Sequence, residues 1–204
     1  MNSAAVQHLL RADKKLARVI KRVGPCRLKP RARVSPYEAL TRAIAYQQLN
    51  GTAAETILRR VIALFPGNRF PEPEQILAMP EDKLRSAGLS RAKTAAIKDI
   101  AAKTLEGIVP TRRVLARLTD AEIIERLTVV RGVGPWTVEM LLIFTLGRTD
   151  VLPVTDYGVR SGFAKVYNLR KLPDAQRMLS HAERWRPHRS VASWYLWRAL
   201  ELED

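Results

Sequence analysis

Apolar side chains recur along much of this chain at intervals of three and four residues, the spacing that lines one face of a helix. Leu40, Ile44 and Gln47 share such a face, and the pattern predicts a helix stopping near Asn50-Gly51, a pair that reads as a C-cap. Thr52-Ala-Ala-Glu55 then reads as a capping box for a helix with the stripe Ile57, Leu58, Val61, Ile62 and Phe65, ended by Pro66-Gly67. Pro71 and Pro73 mark a loop into a short helix around 76–79, and another short turn follows Pro80. Ser90 can cap a helix carrying Ala92, Ala96, Ile97, Ile100 and Ala101, closed by Gly107. Thr119-Asp-Ala-Glu122 is a second capping box, opening a helix over 123–129. A helix from Pro135 to 146 stops at Gly147, a loop covers 148–153, and Thr155 or Asp156 caps a helix running to 166. The last helices are expected over 174–184 and 190–200, separated by Pro187. No alternating strand pattern of useful length, internal repeat or low-complexity tract occurs, so the predicted fold class is all-α.

Composition narrows the partners. The 204 residues suit one compact domain or two small subdomains, and 47% apolar residues supply a core. Thirty-five Lys and Arg stand against 20 acids, a net charge of +15, which points to a polyanion. The single cysteine, Cys26, excludes an internal disulfide framework and a cysteine-ligated zinc or iron–sulfur centre. His8, His181 and His188 lack metal-ligand spacing, so no transition-metal site is expected. The longest apolar run, 140–144, is far short of the roughly 20 residues of a membrane span. Nothing at the start resembles a secretory signal, and a cytoplasmic location, on the nucleoid in a bacterium, is expected.

The chemistry concentrates in a few places. In Val129-Val-Arg-Gly-Val-Gly-Pro-Trp-Thr-Val138, two glycines flank one apolar residue between helical patterns, the signature of a tight helix–helix turn. Amides there, opening into a helix N-terminus beside Arg131, form a seat for a phosphate. The turn's carbonyls near Arg131 and Val133 offer a site for a monovalent cation, sodium or potassium. Asp156 reads either as a plain N-cap or as a fixed carboxylate of the kind that stabilises a cationic sugar-like transition state. Of the four tryptophans, Trp185 and Trp194 read as core, whereas Trp136 opens a helix directly after the turn and can wall a pocket. Gln47 and Gln48 read as helix-end hydrogen-bond partners. The sharper alternative aims Gln48 or Leu49 into a groove, filling the hole left by an extruded base.

Together these residues resemble the helix-hairpin-helix (HhH-GPD) DNA glycosylase superfamily, and within it the 3-methyladenine DNA glycosylase II branch. The likeness spans roughly 35–200 and rests on Ala45-Tyr-Gln-Gln-Leu-Asn50, Ala87-Gly-Leu-Ser-Arg-Ala-Lys93, Arg131-Gly-Val-Gly-Pro-Trp-Thr137, Leu152-Pro-Val-Thr-Asp-Tyr157, Trp185-Arg-Pro-His-Arg-Ser190 and Trp197, in that order. The resemblance implies two helical subdomains flanking a cleft, about 31–148 (with the hairpin at 131–136) and about 1–30 plus 149–204, and no N-terminal sheet domain. It implies that Asp156 is the catalytic carboxylate, that Trp136, Trp197 and Tyr46 line the base pocket, and that Gln48, with Leu49 beside it, is the wedge. Arg131, Gly132, Val133, Gly134 and Thr137 match the phosphate site. Strand-cleaving relatives carry a lysine where this chain has Trp136, so Schiff-base chemistry is not expected. The C-terminal cysteine cluster of other relatives is absent, and Thr155 replaces the second Asp that many relatives carry.

The implied activity is monofunctional. Alkylated purines of the 3-methyladenine and 7-methylguanine type are flipped from double-stranded DNA and the N-glycosidic bond is hydrolysed, leaving an abasic site. A glycosylase for an etheno, oxidised or deaminated base, or a non-catalytic damage-binding module, is the alternative. A monomer without membrane partner or cofactor, the monovalent cation aside, is expected. Binding to undamaged duplex should weaken steeply with salt. With about 4–6 phosphates neutralised, the log–log slope should be about −4 to −5, measured by fluorescence anisotropy across a salt series, and a flat response would detach the basic surface from DNA.

Overall fold

The structure, a computed structural model, describes residues 2–49 and 51–203, and among them there is helix and no strand. The chain divides into two compact units: a middle unit, 32–141, and a split unit built from 1–31 and 142–204.

The middle unit holds α3 (Pro36–Tyr46), α4 (Gly51–Ala63), α5 (Pro73–Ala78), α6 (Glu81–Ser86), α7 (Arg91–Leu105), α8 (Arg112–Leu115), α9 (Asp120–Leu127) and α10 (Pro135–Leu141), following α1 (Asn2–Ala12) and α2 (Lys14–Val23) of the split unit. Helix α7 is its hub, packing on α3, α5 and α6. Its buried face alternates bulk with small residues, Ile97 and Ile100 with Ala96 and Ala101, which lets neighbouring backbones come close. Ala92, expected on that stripe, is exposed. Ser90 caps α7 by accepting the Lys93 N–H at 3.2 Å, and Thr119 and Glu122 form a reciprocal capping box on α9. Leu40, Ile44, Leu58, Ile76, Leu84, Leu115, Ile123, Leu127 and Val138 complete the core.

Two expectations for this unit need correction. Helix α3 ends at Tyr46 rather than near Asn50-Gly51, because Gln48 takes the left-handed conformation (φ 57°) and reverses the chain first. Asn50 lies outside the described residues, and Gly51 opens α4 instead of closing α3. The capping box at Thr52–Glu55 is not formed: Thr52 sits inside the first turn, and the Glu55 carboxylate accepts the Tyr46 hydroxyl instead.

The split unit adds α11 (Tyr157–Tyr167), α12 (Ala175–Ala182) and α13 (Arg189–Ala199) to α1 and α2. The boundary expected near 148 falls at 141. The reason is local. After α10 the chain tightens into a π-turn, Leu142–Leu146, whose Phe144 stacks on Trp197 (centroids 5.6 Å apart) and whose Phe144 carbonyl accepts the Arg31 N–H at 2.8 Å. Leu9, Leu16, Phe163, Met178, Trp185, Tyr195 and Leu196 form the core, with Trp194 partly buried against it.

One carboxylate organises this core. Asp13, 4% exposed, accepts the Lys15 and Leu16 N–H groups on Oδ1, each at 3.0 Å, as the N-cap of α2. Its Oδ2 accepts the Tyr167 hydroxyl at 2.6 Å and the Trp185 indole N–H at 3.1 Å, and lies 2.9 Å from His181 Nε2. Burial pushes its pKa up, but the hydrogen bonds from His181, Tyr167, the Leu16 amide and Trp185 outweigh burial and hold the carboxyl well below the usual carboxylate range. A carboxyl held low in the folded state contributes stability that is present above its unfolded pKa, roughly 4, and is lost as pH falls through the folded value. Asp13→Asn should therefore destabilise the protein by about 2–4 kcal/mol at pH 7, read by urea unfolding, with the gap from wild type narrowing as pH drops below about 4.

Candidate functional site

In the middle unit, α9 and α10 are joined by a turn that folds on its own backbone. The Val130 N–H reaches the Leu127 carbonyl at 3.2 Å, Val133 reaches Val130 at 3.0 Å, and Val138 reaches Gly134 at 3.2 Å. Gly132 has φ 78°, and a Cβ there would lie 3.2 Å from both Ala96 Cβ and Ile44 Cδ1, so glycine serves conformation and packing at once. The amides of Gly132, Gly134 and Thr137 have no acceptor among the described residues, which leaves three donors beside an exposed Arg131. Arg131's own amide is committed, donating to Asp99 Oδ2 at 2.7 Å. Val133 and Thr137 are buried, so the exposed part of the turn is Arg131 and Gly132.

The turn after α3 is tied to this hairpin. Gln47 Nε2 donates to the Gly132 carbonyl at 3.1 Å and lies 3.5 Å from Thr137 Oγ1. The Lys93 ammonium, from the first turn of α7, donates to the carbonyls of Ala45 at 3.0 Å and Gln47 at 2.8 Å, and burial lowers its pKa. These anchors hold Gln48 at positive φ, a conformation that costs a non-glycine residue of order 1 kcal/mol or more. Gln48 and Leu49 stand exposed at the tip; Tyr46 and Trp136 are also exposed, at 37% and 40%.

In the split unit, Asp156 is the N-cap of α11 and is half-buried. Its Oδ1 accepts the Val159 N–H at 2.7 Å and the Trp197 indole N–H at 2.8 Å. Two glycines one helical turn apart bring these groups together. A Cβ on Gly162 would meet the Leu196 carbonyl oxygen at 2.1 Å, and one on Gly158 would lie 2.8 Å from Trp197 Cδ1 and 3.2 Å from Asp156 Oδ1. With no side chain at either position, α13 packs hard against α11 and delivers Trp197 to the carboxylate. A negative charge is thereby fixed by two N–H donors beside an indole that is itself braced by Phe144, an arrangement suited to stabilising a developing cation.

A profile of the HhH-GPD superfamily base excision DNA repair proteins matches residues 41–187. The chain belongs to that superfamily. It is 41% identical over 198 residues to DNA-3-methyladenine glycosylase 1 of Schizosaccharomyces pombe, covering 97% of this chain and 87% of that one. Its fold is similar to the solved structure of the Schizosaccharomyces pombe 3-methyladenine DNA glycosylase in complex with abasic DNA, at TM-score 0.89 and 40% identity, covering 98% of each chain. It is also similar to the DNA-3-methyladenine glycosidase of Bacillus halodurans, at TM-score 0.85 and 32% identity, covering 97% of this chain and 89% of that one.

For this HhH-GPD protein, the residues expected from sequence fall into two groups. Asp156 and Trp197 are in hydrogen-bond contact in the split unit. Tyr46, Gln48, Leu49, Arg131, Gly132, Val133, Gly134, Trp136 and Thr137 belong to the middle unit, where Gln47 joins the hairpin to the turn. Lys93, Asp99, Phe144 and Gly158 join these residues in the structure, although the sequence alone gives them no role. Lys93 closes the Ala87–Lys93 motif, and Gly158 is half of a Gly-x-x-x-Gly pair on the helix that Asp156 caps. Gly158→Ala should push the indole off the carboxylate and destabilise the protein by about 1–3 kcal/mol. Thermal unfolding reads the second effect, and displacement of one tryptophan indole N–H resonance reads the first. An unmoved resonance would show that the helices yield without breaking the pair.

Proposed function

We propose that this chain is a monofunctional DNA glycosylase that releases alkylated purines, of the 3-methyladenine and 7-methylguanine type, from duplex DNA. The observation that carries the reading is the Asp156 carboxylate, fixed by Val159 and Trp197 at the start of α11. The names of the relatives, DNA-3-methyladenine glycosylases at up to 41% identity, support the substrate class.

The hairpin amides and Arg131 take the DNA backbone, which positions the enzyme without reading sequence. Gln48 and Leu49 enter the stack as the damaged nucleotide leaves it, a step made easier where damage has weakened pairing. Trp197, beside Asp156, offers a face on which an electron-poor alkylated ring stacks. Such a base already carries positive charge. The C1′–N bond breaks with its electron pair moving onto the base, which departs neutral, so no general acid is required. Asp156 stabilises the oxocarbenium-like sugar. Water adds to C1′ and its proton goes to solvent, leaving an abasic site in an uncut strand. Trp136 stands where a Schiff-base mechanism would need an amine.

Asp156→Asn should reduce base release by several orders of magnitude while binding to abasic-analogue duplex is largely kept. The assay incubates each protein with methylated DNA and identifies released bases by mass spectrometry. Wild-type levels of release from the variant would remove Asp156 from the mechanism. Release of deaminated or oxidised bases alone would move the enzyme to another lesion class.

A further inference from the structure

The turn that carries Gln48 and Leu49 is short, exposed and strained, yet a side chain that enters a base stack must resist being pushed back. The structure provides a brace beneath it. The Lys93 ammonium spans two carbonyls, Ala45 and Gln47, on either side of the last residue of α3. Those carbonyls belong to the C-terminal end of α3, where helix bonding has run out and a cation is favoured. The second of them immediately precedes Gln48, whose left-handed backbone turns the chain outward. Gln47, which owns the second of those carbonyls, also carries the other strut, its side-chain amide donating to the Gly132 carbonyl. Lys93 itself is rigidly placed, since its amide is the one Ser90 accepts at the start of α7, the hub of the middle unit.

We propose that Lys93 is a positioning residue for base eviction: it holds the Gln48–Leu49 turn in the outward conformation from below, without touching DNA. The assignment rests on the reading of Gln48 and Leu49 as the intercalating residues. It separates two properties that a general stabilising lysine would lose together. Duplex affinity, set by the hairpin and Arg131, should survive its loss, whereas insertion into the stack should not.

The test uses the full chain and a duplex bearing a tetrahydrofuran abasic analogue with 2-aminopurine as the neighbouring base, whose fluorescence rises when a side chain breaks the stack. Lys93→Met should bind this duplex within about threefold of wild type but lose most of the rise, and should release 7-methylguanine from duplex at least about tenfold more slowly at saturating enzyme. Lys93→Arg, which can still donate to both carbonyls, should restore the signal. Where the methionine variant fails to fold by circular dichroism, Lys93→Gln takes its place with the same expectations. A full fluorescence rise in a folded Lys93 variant, or equal losses in binding and insertion, overturns the proposal. Gln48→Ala and Leu49→Ala test the parent reading separately. A signal unchanged in both overturns intercalation and the assignment with it, while a signal lost in them but intact in Lys93→Met overturns the assignment alone.

Discussion

The site depends on how closely α13 can approach α11. Backbone meets backbone at Gly162 and Leu196, and one turn earlier the absence of a side chain on Gly158 admits the Trp197 ring. Only at that separation does the indole N–H reach Asp156 at 2.8 Å. Phe144 braces the far face of the same ring from the π-turn. The carboxylate is thus aimed by packing, and its direction is as firm as the core beneath it.

The middle unit uses a different device. Its hairpin and the turn after α3 are both built from backbone that has left helical bonding, and each is stabilised by a side chain from elsewhere: Asp99 on the Arg131 amide, Gln47 on the Gly132 carbonyl, Lys93 on two carbonyls of the turn. Every such bond satisfies a backbone group that water would otherwise have to serve. The amides of Gly132, Gly134 and Thr137 are left without an acceptor among the described residues.

Much of this was legible in the sequence because the signals are local. Ser90, Thr119–Glu122 and Asp156 cap helices where their spacing says they should, and the glycine hairpin is readable from ten consecutive residues, 129–138. Three of the failures are cases where a distant partner decides. The end of α3 was misplaced because Lys93, 46 residues on from Gln47, rewards an earlier stop. The Thr52–Glu55 box was misread because Tyr46 claims Glu55. Helices α1 and α2 were not read at all: their apolar stripe, Leu9, Leu16 and Ile20, is interrupted by a dense run of Lys and Arg, and the residue that makes sense of them, Asp13, meets its partners more than 150 residues downstream.

That long reach has a consequence for how the protein is made. Tyr167, His181 and Trp185 emerge from the ribosome long after Asp13, so the first two helices must wait, with an apolar stripe exposed, for most of the chain to be synthesised. The middle unit, contiguous over 32–141, faces no such delay and can close while translation continues. The newborn polypeptide thus carries a finished middle unit and an unfinished split unit, and the Asp156 carboxylate acquires its indole partner only when α13 is released.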